Sequence, residues 1–179
     1  MGLSGSYQGA NAAVAVALAE SLSARFPKLT EATVREGLAR AEWPCRLERV
    51  LDDPPVVVDV AHNRAGALEL ARAMDRPCIV LLALSSDKDA HGILQALDPI
   101  SGKLILTQFA GSRALPVEQL CTAADGRAFE RVDSIVEALE MGIELASRDR
   151  PLLVAGSVFT AGEARRILVE RHGAKPLPF

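Results

Sequence analysis

The sequence has no surplus of positive charge, no cysteine framework and no long apolar run, and each absence narrows the field. Lys and Arg number 20 against 23 Asp and Glu, a net charge of −3, and the arginines are scattered among acids. Tracking a phosphate backbone needs a basic footprint, so nucleic acid is not expected as a partner. Cys45, Cys78 and Cys121 are odd in number, far apart and free of Cys-x-x-Cys or His-x-x-x-His spacing. This argues against a disulfide scaffold and a zinc site, and fits a reducing cytoplasm. The longest apolar stretch, Ala12 to Ala19, is too short and too alanine-rich to span a bilayer, and no basic segment precedes it, so no membrane role is expected. A GxxxxGK(S/T) phosphate loop, a GxGxxG fingerprint and a plausible nucleophile–base pair are also missing.

What is present reads as one ordinary core with an appendage: 179 residues, 49% hydrophobic and 24% charged. Residues 6–25 form an alanine-rich helix ended by Pro27, with Gln8 and Asn11 one turn apart. A second helix runs from about Glu31 to Ala39 behind a Thr30 N-cap, with Glu36 three places after Thr33. Both need a partner core. Trp43-Pro44-Cys45-Arg46 then breaks the helical pattern as a hinge, with Trp43 expected to anchor it by packing, and Arg46–Leu51 alternates with period two as an antiparallel strand.

From there one theme repeats. Strands near Val56–Asp59, Cys78–Leu84, Lys103–Thr107, Ala128–Val132 and Leu152–Ala155 alternate with helices near Arg64–Met74, Ala90–Leu97, Val117–Ala124, Ser134–Ser147 and Ala161–Arg171. This spacing predicts an α/β fold: a Rossmann-like, mostly parallel sheet with one antiparallel edge strand and helices on both faces, preceded by two further helices. Only Lys175 to Phe179 reads as a loose tail.

In such a sheet the residues that follow each strand share one edge, where these folds bind ligands. Here that edge carries Asp59 and His62, then Ser85-Ser86-Asp87-Lys88-Asp89, Thr107-Gln108 and Gly156-Ser157. Each piece also has a structural explanation. Asn63, Asp89 and Ser157 suit N-caps, Asp59 can satisfy turn amides, and Lys88 can simply be solvated. The residues alone therefore reach a polar ligand edge and stop there.

The ordered set of motifs resembles the C-terminal part of the folylpolyglutamate synthase/dihydrofolate synthase family, relatives of the Mur ligases. The resemblance rests on Gln8 with Asn11-Ala12-Ala13, Glu36-Gly37-Leu38, Trp43 through Glu48, Asp59-Val60-Ala61-His62-Asn63, Asp87-Lys88-Asp89, Leu106-Thr107-Gln108, Gly156 through Phe159 and Gly162 through Arg165. Cys45, Val60 and Ala83 stand where glycine is usual, and Tyr7 where histidine is common.

That resemblance implies ATP- and Mg2+-dependent joining of L-glutamate to dihydropteroate or a folate through an acyl phosphate. It implies that residues 1–43 are the last helices of a central ATPase domain, whose phosphate loop and magnesium ligands lie upstream, and that residues 44–179 are the glutamate-ligase domain. Asn11, Arg46, Asp59 and His62 then resemble ATP contacts, with the amide near adenine, the guanidinium on phosphate and the carboxylate on ribose. His62, Lys88 and Ser157 resemble the residues that receive glutamate, and no metal ligand is assigned. A free-standing nucleotide or amino-acid binding module, or a ligase of peptidoglycan precursors, are the alternatives.

Overall fold

The structure, a computed structural model, describes residue 5 and residues 7–177. Ser6, where the sequence opens the first helix, and the last two residues of the expected tail lie outside them. The elements run α1 (Tyr7–Leu22), α2 (Glu31–Arg40), β1 (Glu48–Asp52), β2 (Pro55–Val58), α3 (Arg64–Ala73), β3 (Cys78–Leu82), α4 (Ala90–Leu97), β4 (Ser101–Leu106), α5 (Val117–Ala123), β5 (Glu130–Arg131), α6 (Ile135–Leu145), β6 (Leu152–Ala155) and α7 (Val158–His172).

The six strands form one sheet in the order β1-β2-β6-β3-β4-β5. Among the described strands β1 and β2 alone pair antiparallel, and the other pairs are parallel. The apolar run of β3 extends beyond its last strand residue and splits by period two. Cys78, Val80, Leu82 and Leu84 face a core shared with α3, α4 and α5. Ile79, Leu81 and Ala83 face a second core shared with α6 and α7. An uninterrupted apolar strand is what burial on both faces demands, and it is why the sheet is covered by helices on each side.

Several boundaries differ from the sequence expectation, each for a local reason. The first strand begins at Glu48 rather than Arg46, because Cys45 and Leu47 take left-handed backbone conformations, φ 58° and 48°, that no strand tolerates. The last helix begins at Val158, not Ala161, because the Ser157 hydroxyl caps it by accepting the Phe159 N–H. In α2 the capping box closes through Thr33, whose hydroxyl accepts the Thr30 N–H at 2.9 Å, so Glu36 has no part in it.

Helix α1 stands apart. Its apolar residues are not confined to one face, and of its residues only Gln8 is buried, while Val14 and Leu18 are 61% and 59% exposed. Apolar side chains spread round a helix in this way normally pack against a partner.

Candidate functional site

Strand β6, the last of the described strands in sequence, is inserted between β2 and β3. Its helix α7 leaves toward one face of the sheet, whereas α3 and α4 leave from β2 and β3 toward the other. The connections therefore diverge at the carboxyl ends of these three strands, which is the topological switch point where open α/β sheets form a crevice. Asp59, Ser85 and Ser157 sit there, each 5% exposed or less.

Asp59 follows the last residue of β2. Its Oδ1 accepts the Ala61 N–H at 2.7 Å and its Oδ2 accepts the Leu47 N–H at 2.8 Å. Burial pushes its carboxyl pKa up, against the opposing pull of these two amides and of the Arg46 charge. The turn-amide role foreseen for Asp59 is thus realised in full, and each oxygen keeps one free lone-pair direction.

A cleft of about 560 Å³ opens between the N-terminal helices and this turn. Asn11, Arg46 and Asp59 all line it, together with Tyr7, Gln8 and Trp43. Asn11 is aimed by Gln8, whose Oε1 accepts the Asn11 amide at 2.8 Å. Burial first, and the nearby Asp59 carboxylate second, push the Tyr7 phenol pKa up. One wall is apolar, from Ala12, Ala15 and Leu38, and the other carries the carboxylate and the guanidinium. Such a cavity suits a ligand with a flat apolar part and an anionic part.

Trp43 is not the packing anchor the sequence suggested. It is 66% exposed at the rim of the cleft, because α2 has ended at Arg40 and the chain crosses the surface before turning in at Cys45. His62 is also exposed. Its Nδ1 lies 3.1 Å from the Val60 carbonyl oxygen, and it does not line the cleft with the other three.

Lys88 and Ser157 belong to the neighbouring part of the edge. Ser157 caps α7, and its Oγ lies 3.2 Å from the Ser85 Oγ. Lys88 is half-buried and pairs with Asp87 at 2.7 Å, a bond that holds the Asp87 carboxyl below its usual range. Asp89 caps α4 by accepting the Gly92 N–H at 2.9 Å. Beside this group Phe159 stacks on Phe109 at 5.3 Å, with the Arg113 guanidinium 5.4 Å from the Phe159 ring centroid. The Thr107 hydroxyl is buried without a hydrogen-bond partner among the described residues.

One further contact joins two residues that the motifs contain but that nothing in their spacing pairs. Glu48 of β1 and Arg165 of α7 form a two-pronged ion pair at 2.7–3.1 Å across 117 residues. Neither residue breaks its local pattern, so no periodicity flags them. Burial pushes the Cys45 thiol next to this pair up to about 11, which makes it a poor nucleophile. Among the described residues no group of three or more His, Cys, Asp or Glu could hold a metal ion, and no helix is long and apolar enough to cross a membrane.

Comparison with known proteins places these features in a family context. Residues 45–158 match the family described as Mur ligase, glutamate ligase domain. The chain is 33% identical over 189 residues to the dihydrofolate synthase/folylpolyglutamate synthase of Mycobacterium tuberculosis, covering 92% of this chain and 39% of that protein. It is 32% identical over 174 residues to the folylpolyglutamate synthase of Lacticaseibacillus casei, covering 93% and 40%. The Mycobacterium tuberculosis folylpolyglutamate synthase structure solved with ADP superposes with a TM-score of 0.83 at 32% identity, covering 98% of this chain and 42% of that one. The chain thus spans about two-fifths of the length of these relatives.

Proposed function

This chain belongs to the Mur ligase family, as a glutamate ligase domain, and from that premise we propose that it is the C-terminal part of an ATP-dependent ligase adding L-glutamate to dihydropteroate or folates. The observation that carries the reading is the cleft that collects Asn11, Arg46 and Asp59, from helix α1, the hinge and the end of β2. Three side chains from three elements, one amide, one cation and one carboxylate, match what a base, a phosphate and a ribose require. The relative solved with ADP, at 32% identity, supports a nucleotide as the occupant.

In this reading the substrate carboxylate takes the γ-phosphoryl group of ATP, and the glutamate amine displaces phosphate from the resulting acyl phosphate. The catalytic contribution of this chain is positioning and charge stabilisation. Arg46 engages phosphate and Asp59 the ribose hydroxyls through its remaining lone pairs. Lys88 and Ser157, with His62 nearby in sequence to Asp59, receive the incoming amino acid. The described residues offer no fitting magnesium site, and the magnesium ligands belong to the rest of a longer protein.

The exposed apolar side chains of α1 support that longer protein. Leaving Val14 and Leu18 in water forgoes about 1.5–3 kcal/mol each relative to burial. Residues 1–43 accordingly serve as the packing helices of an upstream ATPase domain, and residues 44–179 as the ligase domain that closes over the nucleotide.

The test is to join the upstream coding region and assay ATP hydrolysis dependent on pteroate and glutamate. Arg46→Ala and Asp59→Ala should each lower it at least tenfold, in keeping with a lost charge-assisted contact. Unchanged rates in both variants would remove the site assignment, and no glutamate dependence would remove the ligase reading.

A further inference from the structure

Arg46 stands between two non-glycine residues in the left-handed conformation, Cys45 at φ 58° and Leu47 at φ 48°. L-residues avoid this region, and two of them flanking one side chain need something to hold them. The structure supplies a holder for each. The Cys45 N–H donates to Glu48 Oε2 at 2.8 Å, and the Leu47 N–H donates to Asp59 Oδ2 at 2.8 Å. The Cys45 carbonyl in turn accepts the Val60 N–H at 3.0 Å.

Glu48 is itself fixed. Arg165 Nε donates to both of its oxygens, at 3.1 and 3.0 Å, and Arg165 Nη2 donates to Oε1 at 2.7 Å, with Arg165 only 8% exposed on α7. The backbone on either side of Arg46 is therefore tied to β1, to the end of β2 and to the helix that follows β6. The Arg46 guanidinium, by contrast, makes no hydrogen bond or ion pair among the described residues and lines the cleft.

Building on the nucleotide reading of the cleft, we infer that Glu48 and Arg165 are positioning residues for Arg46: a buried clamp that keeps its hinge in a strained shape so that the free guanidinium meets the phosphate of a nucleotide. Strain held by the surrounding structure beside a ligand cleft is how a side chain is aimed before its ligand arrives. A structural role alone leaves the left-handed pair flanking Arg46 unexplained, since an ion pair between β1 and α7 could pin the sheet edge without reaching the Cys45 amide.

The test titrates this chain with ADP and with adenosine, which lacks the phosphates, following amide chemical shifts so that weak binding is read. Glu48→Met combined with Arg165→Met removes both charges and the Cys45 acceptor at similar volume, which keeps a buried charge from being left unpaired. The pair should lose about tenfold in ADP affinity, the size of one charge-assisted contact, and leave adenosine affinity unchanged. Added to Arg46→Ala, it should cause no further loss, because both changes act through one contact. Should the Met pair fail to fold, Glu48→Leu with Arg165→Leu, which likewise leaves no acceptor for the Cys45 N–H, is read by the same comparison.

An equal loss for adenosine, or a loss that adds to that of Arg46→Ala, would overturn the clamp and reduce the ion pair to a structural one. A wild-type chain that prefers ADP no more than adenosine would instead bring down the nucleotide reading, and the clamp with it. The two failures are read from different samples.

Discussion

Gly156 and Ala83 meet backbone to backbone at the floor of the crevice: a Cβ built on Gly156 would lie 2.4 Å from the Ala83 carbonyl oxygen, and Gly156 holds φ +118°. That oxygen also accepts the Thr160 hydroxyl at 2.8 Å, so it cannot withdraw without releasing α7.

Gly156→Ala should therefore destabilise the chain by roughly 3 kcal/mol, from backbone strain and the close approach together. Urea unfolding measures this directly. A loss below about 1 kcal/mol would mean that the β6–α7 junction relaxes around the methyl group.

Cys45 makes a prediction of opposite sense. Its φ of 58° favours glycine, yet its side chain is buried. Cys45→Ala and Cys45→Gly lose the same sulfur contacts, but only the glycine sheds the left-handed penalty. The Gly variant should be the more stable of the two by about 1 kcal/mol, the reverse of the usual order in regular structure. Thermal melts of the two side by side decide it, and an Ala variant as stable as the Gly variant would show that the hinge is not held in this conformation.

The pH dependence follows from two carboxylates that pull in opposite directions. Burial alone would raise Glu48, but the Arg165 and Cys45 hydrogen bonds outweigh it and hold its pKa below the ordinary 4.5. Its contribution to stability is thus present above that value and is lost as pH falls through the folded-state pKa. Asp59, raised by burial above the ordinary 3.8, contributes below that value and loses its contribution as pH rises through its own folded-state pKa. Urea midpoints collected from about pH 3 to pH 6 should fall on the acid side in the wild type and flatten there in the Glu48→Met, Arg165→Met chain. Parallel curves would show that the pair does not govern the acid limb.

Much of the fold was legible because its signals are local. The seven-residue run Cys78–Leu84 announces a strand buried on both faces, and Asn63, Asp89 and Ser157 each cap the helix they precede, as their positions suggested. The cleft was legible only in part. Asn11, Arg46 and Asp59 could be named one by one, but that they line one cavity depends on where α1 rests against the sheet edge. Trp43 was misjudged because a lone tryptophan beside a proline looks like a packing residue until its 66% exposure is seen. Glu48 and Arg165 were invisible in their roles, since a pairing across 117 residues leaves no periodic trace.

The position of β6 has a consequence for how the chain is made. Residues 152–155 are translated after the other five described strands, yet they pair with Val56–Val58 on one side and Ile79–Leu82 on the other. Until they emerge from the ribosome, the growing polypeptide has two apolar strands with a gap between them. In the finished sheet β6 is the strand that bridges β2 and β3, so both of their inner edges depend on it. A message truncated before codon 152 would yield a product with two open, adhesive borders, prone to pair with copies of itself.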